Sequence, residues 1–157
     1  MGVAYVTGLQ GPNPKAPVNI ATPKHFAVHS GPESTRHTAD VKVSLHDMRD
    51  TYLPAFRAAV VDGKAGSVMC AYSSINGQPA CANTFLMKDT LRKAWGFTGV
   101  VVSDCGAIRD ITSAHKFKPD FVAGSAAAVK VGMDNECATE SLFDRLAFGQ
   151  ANNYVQA

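Results

Sequence analysis

Short apolar runs alternate along this chain with segments in which apolar residues recur every three or four positions. The runs predict strands at 18–22, 66–71, 97–103 and 132–134. The periodic segments predict helices at 45–60, 84–95, 123–131 and 141–148. Ser44 is the predicted N-cap of the first helix, Pro54 predicts a kink or break inside it, and Gly63 is its predicted C-terminal cap. The alternation of strands and helices indicates a parallel sheet with helical crossovers.

Polar residues lie at the carboxyl end of each predicted strand. Lys24-His25, Tyr72 and Asp104 come after the first, second and third strands, and Asp134 ends the fourth. In a parallel α/β barrel, catalytic groups lie at these carboxyl ends. A dinucleotide-binding fold requires a glycine-rich turn after a strand, and the sequence shows none. The sequence therefore predicts an α/β fold in which residues 1–157 form a single, partial (β/α)8 TIM-type barrel domain, because a complete barrel takes about 250 residues.

The segment VVVSDCGA at 100–107 is the strongest candidate for chemistry. Three β-branched residues predict a buried strand, and Asp104 stands at its end among small neighbours. A carboxylate in that position can act as a nucleophile, a base or a cation stabiliser. The alternative is that Asp104 only caps the helix that follows. A second functional segment is the long polar loop at 29–40. Taken by themselves, His29, His37, His46 and His115 are interpreted as solvent or loop residues rather than ligands.

Composition narrows the function classes. The chain has 157 residues, 46% of them hydrophobic, and a net charge of +2 with histidine neutral, which is typical of a globular domain. Basic residues are scattered, which argues against nucleic acid as a partner, and no apolar stretch predicts a membrane span. Residues 1–11 lack the features of a signal peptide.

The four cysteines show no CxxC spacing, so we expect neither a metal site nor a dithiol motif. Cys70 and Cys81 flank a loop that contains glycine and proline, and a disulfide between them is one possibility in an oxidising compartment. Cys105 and Cys137 are equally well interpreted as buried small apolar residues.

Five blocks of the sequence together resemble glycoside hydrolase family 3, in its β-xylosidase and β-glucosidase branch. They are PKHFAVHSGPE, YLPAFRAAV, GSVMCAYSSINGQPACAN, WGFTGVVVSDCGA and VGMDNEC, and the match that contains them runs from about Gly8 to Cys137. The resemblance implies an exo-acting, retaining hydrolase of β-linked oligosaccharides or glycosides that needs no cofactor. It also implies the C-terminal half of the family's N-terminal barrel domain, and a secreted or periplasmic location.

The resemblance assigns roles to individual residues. Asp104 matches the nucleophile of the family's SDxxA motif, and Cys70–Cys81 stays a candidate disulfide. The expected sugar-binding residues are Lys24, His25, Tyr72, Met69, Arg36 and His37. A carboxylate nucleophile has to stay ionised, which a nearby lysine and a phenolic hydrogen bond favour.

The general acid/base of this branch lies in a second domain that we expect to be absent from these residues. Another branch of the family, the β-N-acetylglucosaminidases, uses an Asp-x-His pair, but Thr35 stands where that Asp is expected. Glu33, Asp134 and Glu136 are the remaining candidates for a second carboxyl group. The alternatives to an active hydrolase are a carbohydrate-binding fragment and a truncated fragment without turnover. The open edges of a partial barrel also predict self-association.

Overall fold

The computed structural model of the chain describes residues 1–139 and 141–144. Its five short strands within these residues are β1 (Asp40–Val41), β2 (Ser67–Cys70), β3 (Ser74–Ile75), β4 (Gln78–Pro79) and β5 (Val100–Ser103). The central pair is β2 and β5, which run parallel with Ser67 opposite Val100 and Cys70 opposite Ser103. A second, smaller sheet has the strand order β1–β3–β4.

Two further segments extend the central pair on either side. Phe26 forms a parallel bridge with Cys70, and Asn135 forms one with Val102. Four chain segments therefore run parallel in sequence order. This arrangement agrees with the predicted α/β class.

The first predicted strand, at 18–22, is wrong. Val18 and Ile20 are 79% and 58% exposed, and pairing begins only at Ala21, whose carbonyl accepts a hydrogen bond from the Ser67 N–H (3.2 Å). The prolines at 17 and 23 lack the N–H donors that a regular ladder needs, which explains the irregular pairing of this segment. At the other end of the sheet, the fourth segment pairs at Asn135, one residue beyond the predicted strand 132–134.

The helices are α1 (Gly2–Gln10), α2 (Leu45–Asp47), α3 (Pro54–Arg57), α4 (Ala107–Ser113) and α5 (Phe121–Lys130). Wider helical turns of the π type occur at Met48–Tyr52, Ala58–Asp62 and Phe85–Ala94, and 3-10 turns at Glu33–Thr35 and Ala80–Ala82. The break predicted at Pro54 is confirmed, because Pro54 begins α3. The Ser44 side chain accepts a hydrogen bond from the Asp47 N–H, as expected of an N-cap. Helices α1 and α4 were not predicted, and residues 145–148 of the last predicted helix lie outside the described residues.

The core lies between the helices and one face of the central pair. Val68, Cys70, Val101 and Ser103 are buried on that face, whereas Met69 and Val102 on the other face are only half-buried. The largest fully buried side chains around them include Phe26, Leu86, Met87, Leu91, Ile108 and Ile111. The apolar spacing at 84–95 predicts Leu86, Thr90, Leu91 and Trp95 as inward-facing. Leu86, Thr90 and Leu91 are buried, Trp95 is only half-buried, and the buried Met87 was missed. No helix in the described ranges is long and apolar enough to cross a bilayer.

A buried glutamine attaches α1 to the rest of the fold. Gln10 is 3% exposed and donates a hydrogen bond to the Lys64 carbonyl (2.9 Å). Its side-chain oxygen accepts from the N–H groups of Ala21 (3.1 Å) and Gly66 (2.8 Å). One side-chain amide therefore joins α1 to the residues that lead into the first and second parallel segments.

Two disulfides join the carboxyl ends of the parallel segments to neighbouring loops. Cys70 and Cys81 are bonded and buried, with 5.2 Å between their Cα atoms. Cys105 and Cys137 are also bonded, with 4.3 Å between their Cα atoms, so their interpretation as isolated buried apolar residues is wrong. The backbone explains the second bond, because the Ser103 N–H donates to the Asn135 carbonyl and thereby brings the two segments side by side (3.0 Å).

Candidate active site

Asp104 lies at the carboxyl end of β5 and is 8% exposed. Its Oδ1 accepts a hydrogen bond from the Cys105 N–H (2.8 Å), and its Oδ2 lies 3.2 Å from Nε2 of His25. Gly106, in the left-handed region at φ 84°, is the N-cap residue of α4. The side chain of Asp104 accepts no hydrogen bond from the N–H groups of α4. The interpretation of Asp104 as only a helix cap is therefore wrong.

His25 comes from the irregular segment that runs beside β2. Its ring is half-buried and lies with its centroid 4.7 Å from that of His29. Burial lowers the pKa of His25 below its ordinary value of 6.5, and the negative charge of Asp104 opposes that shift. The nearby charges of Lys24 and Arg36 lower the pKa further. The ring next to the carboxylate is therefore held in its neutral form at neutral pH.

Tyr72, the residue two positions after β2, faces the same space. It is 5% exposed, and its hydroxyl donates a hydrogen bond to the Cys105 carbonyl (2.8 Å). Burial raises the pKa of the Tyr72 phenol, and the negative charge of Asp104 raises it as well. The phenol consequently stays protonated and remains a hydrogen-bond donor beside the carboxylate.

The polar loop at 29–40 brings two of the predicted sugar-binding residues over the ring of Tyr72. The Arg36 guanidinium lies 4.8 Å from the ring centroid, and the His37 ring lies 4.2 Å from it. The Arg36 Nε–H donates to His37 Nε2 (3.2 Å), so the proton of a neutral His37 ring is on Nδ1. That nitrogen lies 2.6 Å from Oδ2 of Asp110. Asp110 belongs to α4 and was missed in the sequence, where its only signal is a carboxylate six residues after Asp104.

Lys24 and Met69 have different surroundings. Lys24 is exposed, and its positive charge acts on His25. Met69 is half-buried on the face of β2 that the helices leave uncovered, opposite Val102 in the register. The residues that the structure brings together most closely are therefore His25, Arg36, His37, Tyr72 and Asp104.

Two histidines interpreted as loop residues also contact this cluster. The ring of His29 lies 4.7 Å from that of His25 and 6.4 Å from that of Tyr72. His115 Nε2 lies 2.8 Å from the Tyr72 carbonyl oxygen and donates to it. His29 thus lies against both side chains that flank Asp104, whereas His115 holds the backbone of Tyr72.

The three other candidate carboxylates are engaged in contacts of their own. Glu33 pairs with Arg36 (2.8 Å), and its side chain is 79% exposed. Asp134 Oδ2 accepts from Arg92 (2.6 Å) and from the Val101 N–H (2.7 Å), which is a structural role. Oε2 of Glu136 accepts hydrogen bonds from Ser141, Leu142 and Phe143.

No group of three or more His, Cys, Asp or Glu side chains suited to a metal ion occurs within 1–139 and 141–144. What the site contains is a nearly buried carboxylate, oriented by a backbone N–H and flanked by a neutral imidazole and a neutral phenol. The backbone N–H fixes the orientation of such a carboxylate. This arrangement suits a carboxylate nucleophile.

Comparisons with known proteins identify the family of the chain. The model of the glycosyl hydrolase family 3 N terminal domain matches residues 1–150. A xylan 1,4-beta-xylosidase from Xylanibacter ruminicola is 49% identical over 139 residues, covering 87% of this chain and 16% of the relative. An exo-1,4-beta-xylosidase, bxlB, from Emericella nidulans is 39% identical over 141 residues, covering 86% of this chain and 18% of the relative.

Solved structures show the same similarity. A GH3 exo-beta-xylosidase in complex with a xylobiose aziridine activity-based probe has a TM-score of 0.84 and 35% identity, over 88% of this chain and 19% of that structure. A beta-glucosidase from Listeria innocua in complex with glucose has a TM-score of 0.82 and 28% identity, over 98% of this chain and 22% of that structure. The chain thus spans less than a fifth of the length of the two curated relatives. The resemblance seen in the sequence is confirmed, and the chain belongs to glycosyl hydrolase family 3.

Proposed function

We propose that this chain supplies the nucleophile of a retaining, exo-acting β-glycosidase that removes terminal non-reducing sugars. The position of Asp104 carries the proposal, since it is a nearly buried carboxylate at the carboxyl end of a parallel strand, between His25 and Tyr72. Its carboxylate attacks the anomeric carbon, and the bond to the leaving-group oxygen breaks as that oxygen receives a proton. Water then attacks the resulting glycosyl ester, which releases the sugar and regenerates the carboxylate.

The residues around Asp104 have the donors that sugar recognition needs. Arg36 lies over Tyr72 with N–H groups that can donate to sugar hydroxyls, and His37 lies beside it over the same ring. His25 and the exposed Lys24 approach from the neighbouring segment, and Met69 borders the site on the uncovered face of β2. Hydrogen bonds to sugar hydroxyls that strengthen in the transition state contribute to the rate of such hydrolases.

Retaining hydrolysis requires a second carboxyl group about 5 Å from the nucleophile. Glu33 and Asp134 are held by other partners, and Glu136 is held through Oε2, while its Oε1 is buried without a hydrogen-bond partner in the described residues. We therefore place the general acid/base outside these residues, in a further domain of the kind that the family resemblance implies. Within this proposal, residues 1–157 are a single, partial (β/α)8 barrel domain, the half that bears the nucleophile. The four parallel segments in chain order support that assignment.

The preferred substrate in this proposal is a β-xyloside. The two curated relatives described above are named xylosidases, and one similar structure holds a xylobiose-derived probe. A β-glucoside is the alternative, since a similar β-glucosidase structure holds glucose. The two sugars differ by one hydroxymethyl group, so paired substrates distinguish them.

The experiment that tests the proposal is covalent labelling of the 157-residue chain with a β-xylose-configured aziridine, followed by peptide mass mapping. Label on Asp104, lost in Asp104→Asn, is the expected result. Asp89→Asn is the matched control, because Asp89 forms only an exposed pair with Lys93. Asp104 left unlabelled, or label equally strong in Asp104→Asn, contradicts the assignment of the nucleophile. Turnover of aryl β-xylosides by the same samples shows whether the chain also supplies an acid/base.

A second candidate function is carbohydrate binding without turnover. The engagement of all three alternative carboxylates in other contacts favours it for the chain on its own. Titration calorimetry with xylobiose measures this directly. Binding that is lost in Arg36→Ala, with no release of sugar from aryl glycosides, is the expected result for a binding fragment.

We also propose a secreted or periplasmic location, which the two disulfides support because such bonds persist in oxidising compartments. Self-association of the chain is a further proposal, based on the outer edges of the Phe26 and Asn135 segments, which pair with no further strand among residues 1–139 and 141–144. A single monomeric species in sedimentation at micromolar concentration contradicts it.

A further inference from the structure

Cys105, the residue after the candidate nucleophile, contacts the side chains of both Asp104 and Tyr72. The Cys105 N–H donates to Oδ1 of Asp104, and the Cys105 carbonyl accepts from the Tyr72 hydroxyl, each at 2.8 Å. The orientation of one peptide segment therefore sets both the nucleophile and the neighbouring phenol. A displacement of Cys105 moves both groups at once.

The disulfide is the covalent constraint on that segment. Cys137, its partner, donates its own N–H to Oγ of Ser103 (3.0 Å) and accepts from the Gly106 N–H (2.8 Å). Gly106 adopts a positive φ, and a Cβ atom built at this position would have no neighbouring atom within 4 Å. Side-chain packing therefore does not fix the turn at Cys105 and Gly106. The bond closes a sequence separation of 32 residues and joins the turn to the fourth parallel segment.

The two disulfides of the chain differ in access. Cys70 and Cys81 are 0% and 1% exposed, whereas Cys105 is exposed. Exchange requires a thiolate to reach one of the bonded sulfurs. We therefore expect a dissolved thiol to reach the bond beside the nucleophile first.

We propose that the exposed Cys105–Cys137 disulfide positions Asp104 for attack, so that its selective reduction slows the covalent step without unfolding the domain. This inference rests on the proposed function for the labelling measurement, whereas the hydrogen-exchange measurement does not depend on it. Cys105 is a positioning residue, because it acts through Asp104 and Tyr72. The chain thus has a nucleophile whose geometry depends on the oxidised state of a neighbouring bond.

Dithiothreitol tests this under native conditions. Its two thiols deliver two electrons and two protons to the protein disulfide, which becomes two cysteine thiols while the reagent closes to its cyclic disulfide. Alkylation with iodoacetamide and peptide mapping then identify which cysteines were released. We expect Cys105 and Cys137 to be alkylated while Cys70 and Cys81 stay bonded.

Two readouts on that sample decide the proposal. The rate constant for covalent labelling by the β-xylose-configured aziridine is expected to fall about tenfold or more, with little change in the probe's inhibition constant, since orientation affects the covalent step. Hydrogen exchange at the Cys105 amide is expected to accelerate at least about tenfold, while the buried amides of Val68 and Leu91 stay protected. Reoxidation of the sample restores both values.

The paired variant Cys105→Ser/Cys137→Ser repeats the test without reductant and gives the same expected result. An unchanged labelling rate with unchanged exchange at residue 105 overturns the proposal. Loss of protection throughout the core also overturns it, because the bond would then support the whole domain. If the oxidised chain takes no label, the proposed function fails, and hydrogen exchange alone decides whether the disulfide holds the Asp104 turn.

Discussion

The carboxylate of Asp110 lies 2.6 Å from Nδ1 of His37, although 73 residues separate them in the chain. The contact joins the first turns of α4 to the polar loop at 29–40, and the same imidazole lies over the ring of Tyr72. Asp110 thereby fixes which His37 nitrogen carries the proton and which face the ring presents to the site. The loop is attached at the point where it approaches the candidate nucleophile.

A double-mutant cycle measures this attachment. We expect His37→Ala and Asp110→Asn to show a coupling of about 0.5–1 kcal/mol in the free energy of unfolding, kept low because the His37 side chain is 48% exposed. Urea unfolding of the four proteins gives the value. The exposed helical pair Asp89 and Lys93 is the matched control, with an expected coupling of no more than about 0.5 kcal/mol. Additive effects at His37 and Asp110 would show that the contact does not hold the loop.

The sequence predicted the parts of this fold that depend on neighbouring residues. The apolar spacing at 84–95 identified the buried Leu86 and Leu91, and Pro54 identified a break. The position of Asp104 after three β-branched residues identified the end of a strand, because strand identity and a following turn are local properties. These features locate the candidate nucleophile.

The features missed by sequence reasoning depend on contacts between distant segments. Nothing near Cys105 indicates Cys137 as its partner, because the bond requires the third and fourth parallel segments to be side by side. Asp110 is likewise an ordinary helix residue until the loop at 29–40 folds over it. The failed strand at 18–22 shows the opposite case, since its β-branched residues satisfy the local pattern but prolines on either side prevent regular pairing.

The protonation of His25 is expected to follow the charge of Asp104. Burial holds the pKa of His25 below 6.5, and the Asp104 charge partly offsets that shift. Asp104→Asn removes the offset, so the pKa of His25 is expected to fall further. Ring-proton NMR titration measures it, with His25→Gln used to assign the resonance. A rise in the pKa of His25 in Asp104→Asn would contradict the electrostatic relationship between the two side chains.

The same shift makes the stability of the domain depend on pH. Because the folded pKa of His25 lies below 6.5, the unfolded chain binds the proton first as the pH falls. The contribution of His25 to the free energy of unfolding is complete above pH 6.5 and is lost as the pH falls through the folded pKa. Urea unfolding across this range is expected to show a shallower loss in His25→Gln than in the unchanged chain.

Tyr72→Phe is expected to lower the free energy of unfolding by about 1 kcal/mol, because it leaves the Cys105 carbonyl without its donor. The pKa of Tyr72 is raised above 10.0, so the unfolded chain loses the phenolic proton first as the pH rises. The contribution of the phenol is therefore complete below pH 10.0 and declines as the pH rises through the folded pKa. Ultraviolet titration of the phenols measures the shift by difference. Tyr5→Phe is the control, since Tyr5 is 75% exposed, and an equal effect of both substitutions would contradict the role of Tyr72.

Arg92 connects the backbone just before β5 with the segment that pairs beside β5, through a single guanidinium. One of its terminal nitrogens donates to the carbonyls of Phe97 (3.2 Å) and Gly99 (2.6 Å). The other donates to the Gly132 carbonyl (3.0 Å) and to Asp134 (2.6 Å). A lysine ammonium at the same position is a single charged group on a flexible side chain and cannot donate to both groups of acceptors at once.

Arg92→Lys is therefore expected to lower the free energy of unfolding by about 2–3 kcal/mol, since half-buried acceptors lose charged donors. The exposed Arg57 provides the matched substitution, and Arg57→Lys is expected to change the value by no more than about 0.5 kcal/mol. Urea unfolding compares the two. Equal effects of the two substitutions would show that the four contacts of Arg92 contribute no more than a surface arginine does. A large effect confined to Arg92 would instead show that this one side chain stabilises the connection between β5 and the Asn135 segment. Because Asp104 follows β5, the same side chain would then help to stabilise the position of Asp104.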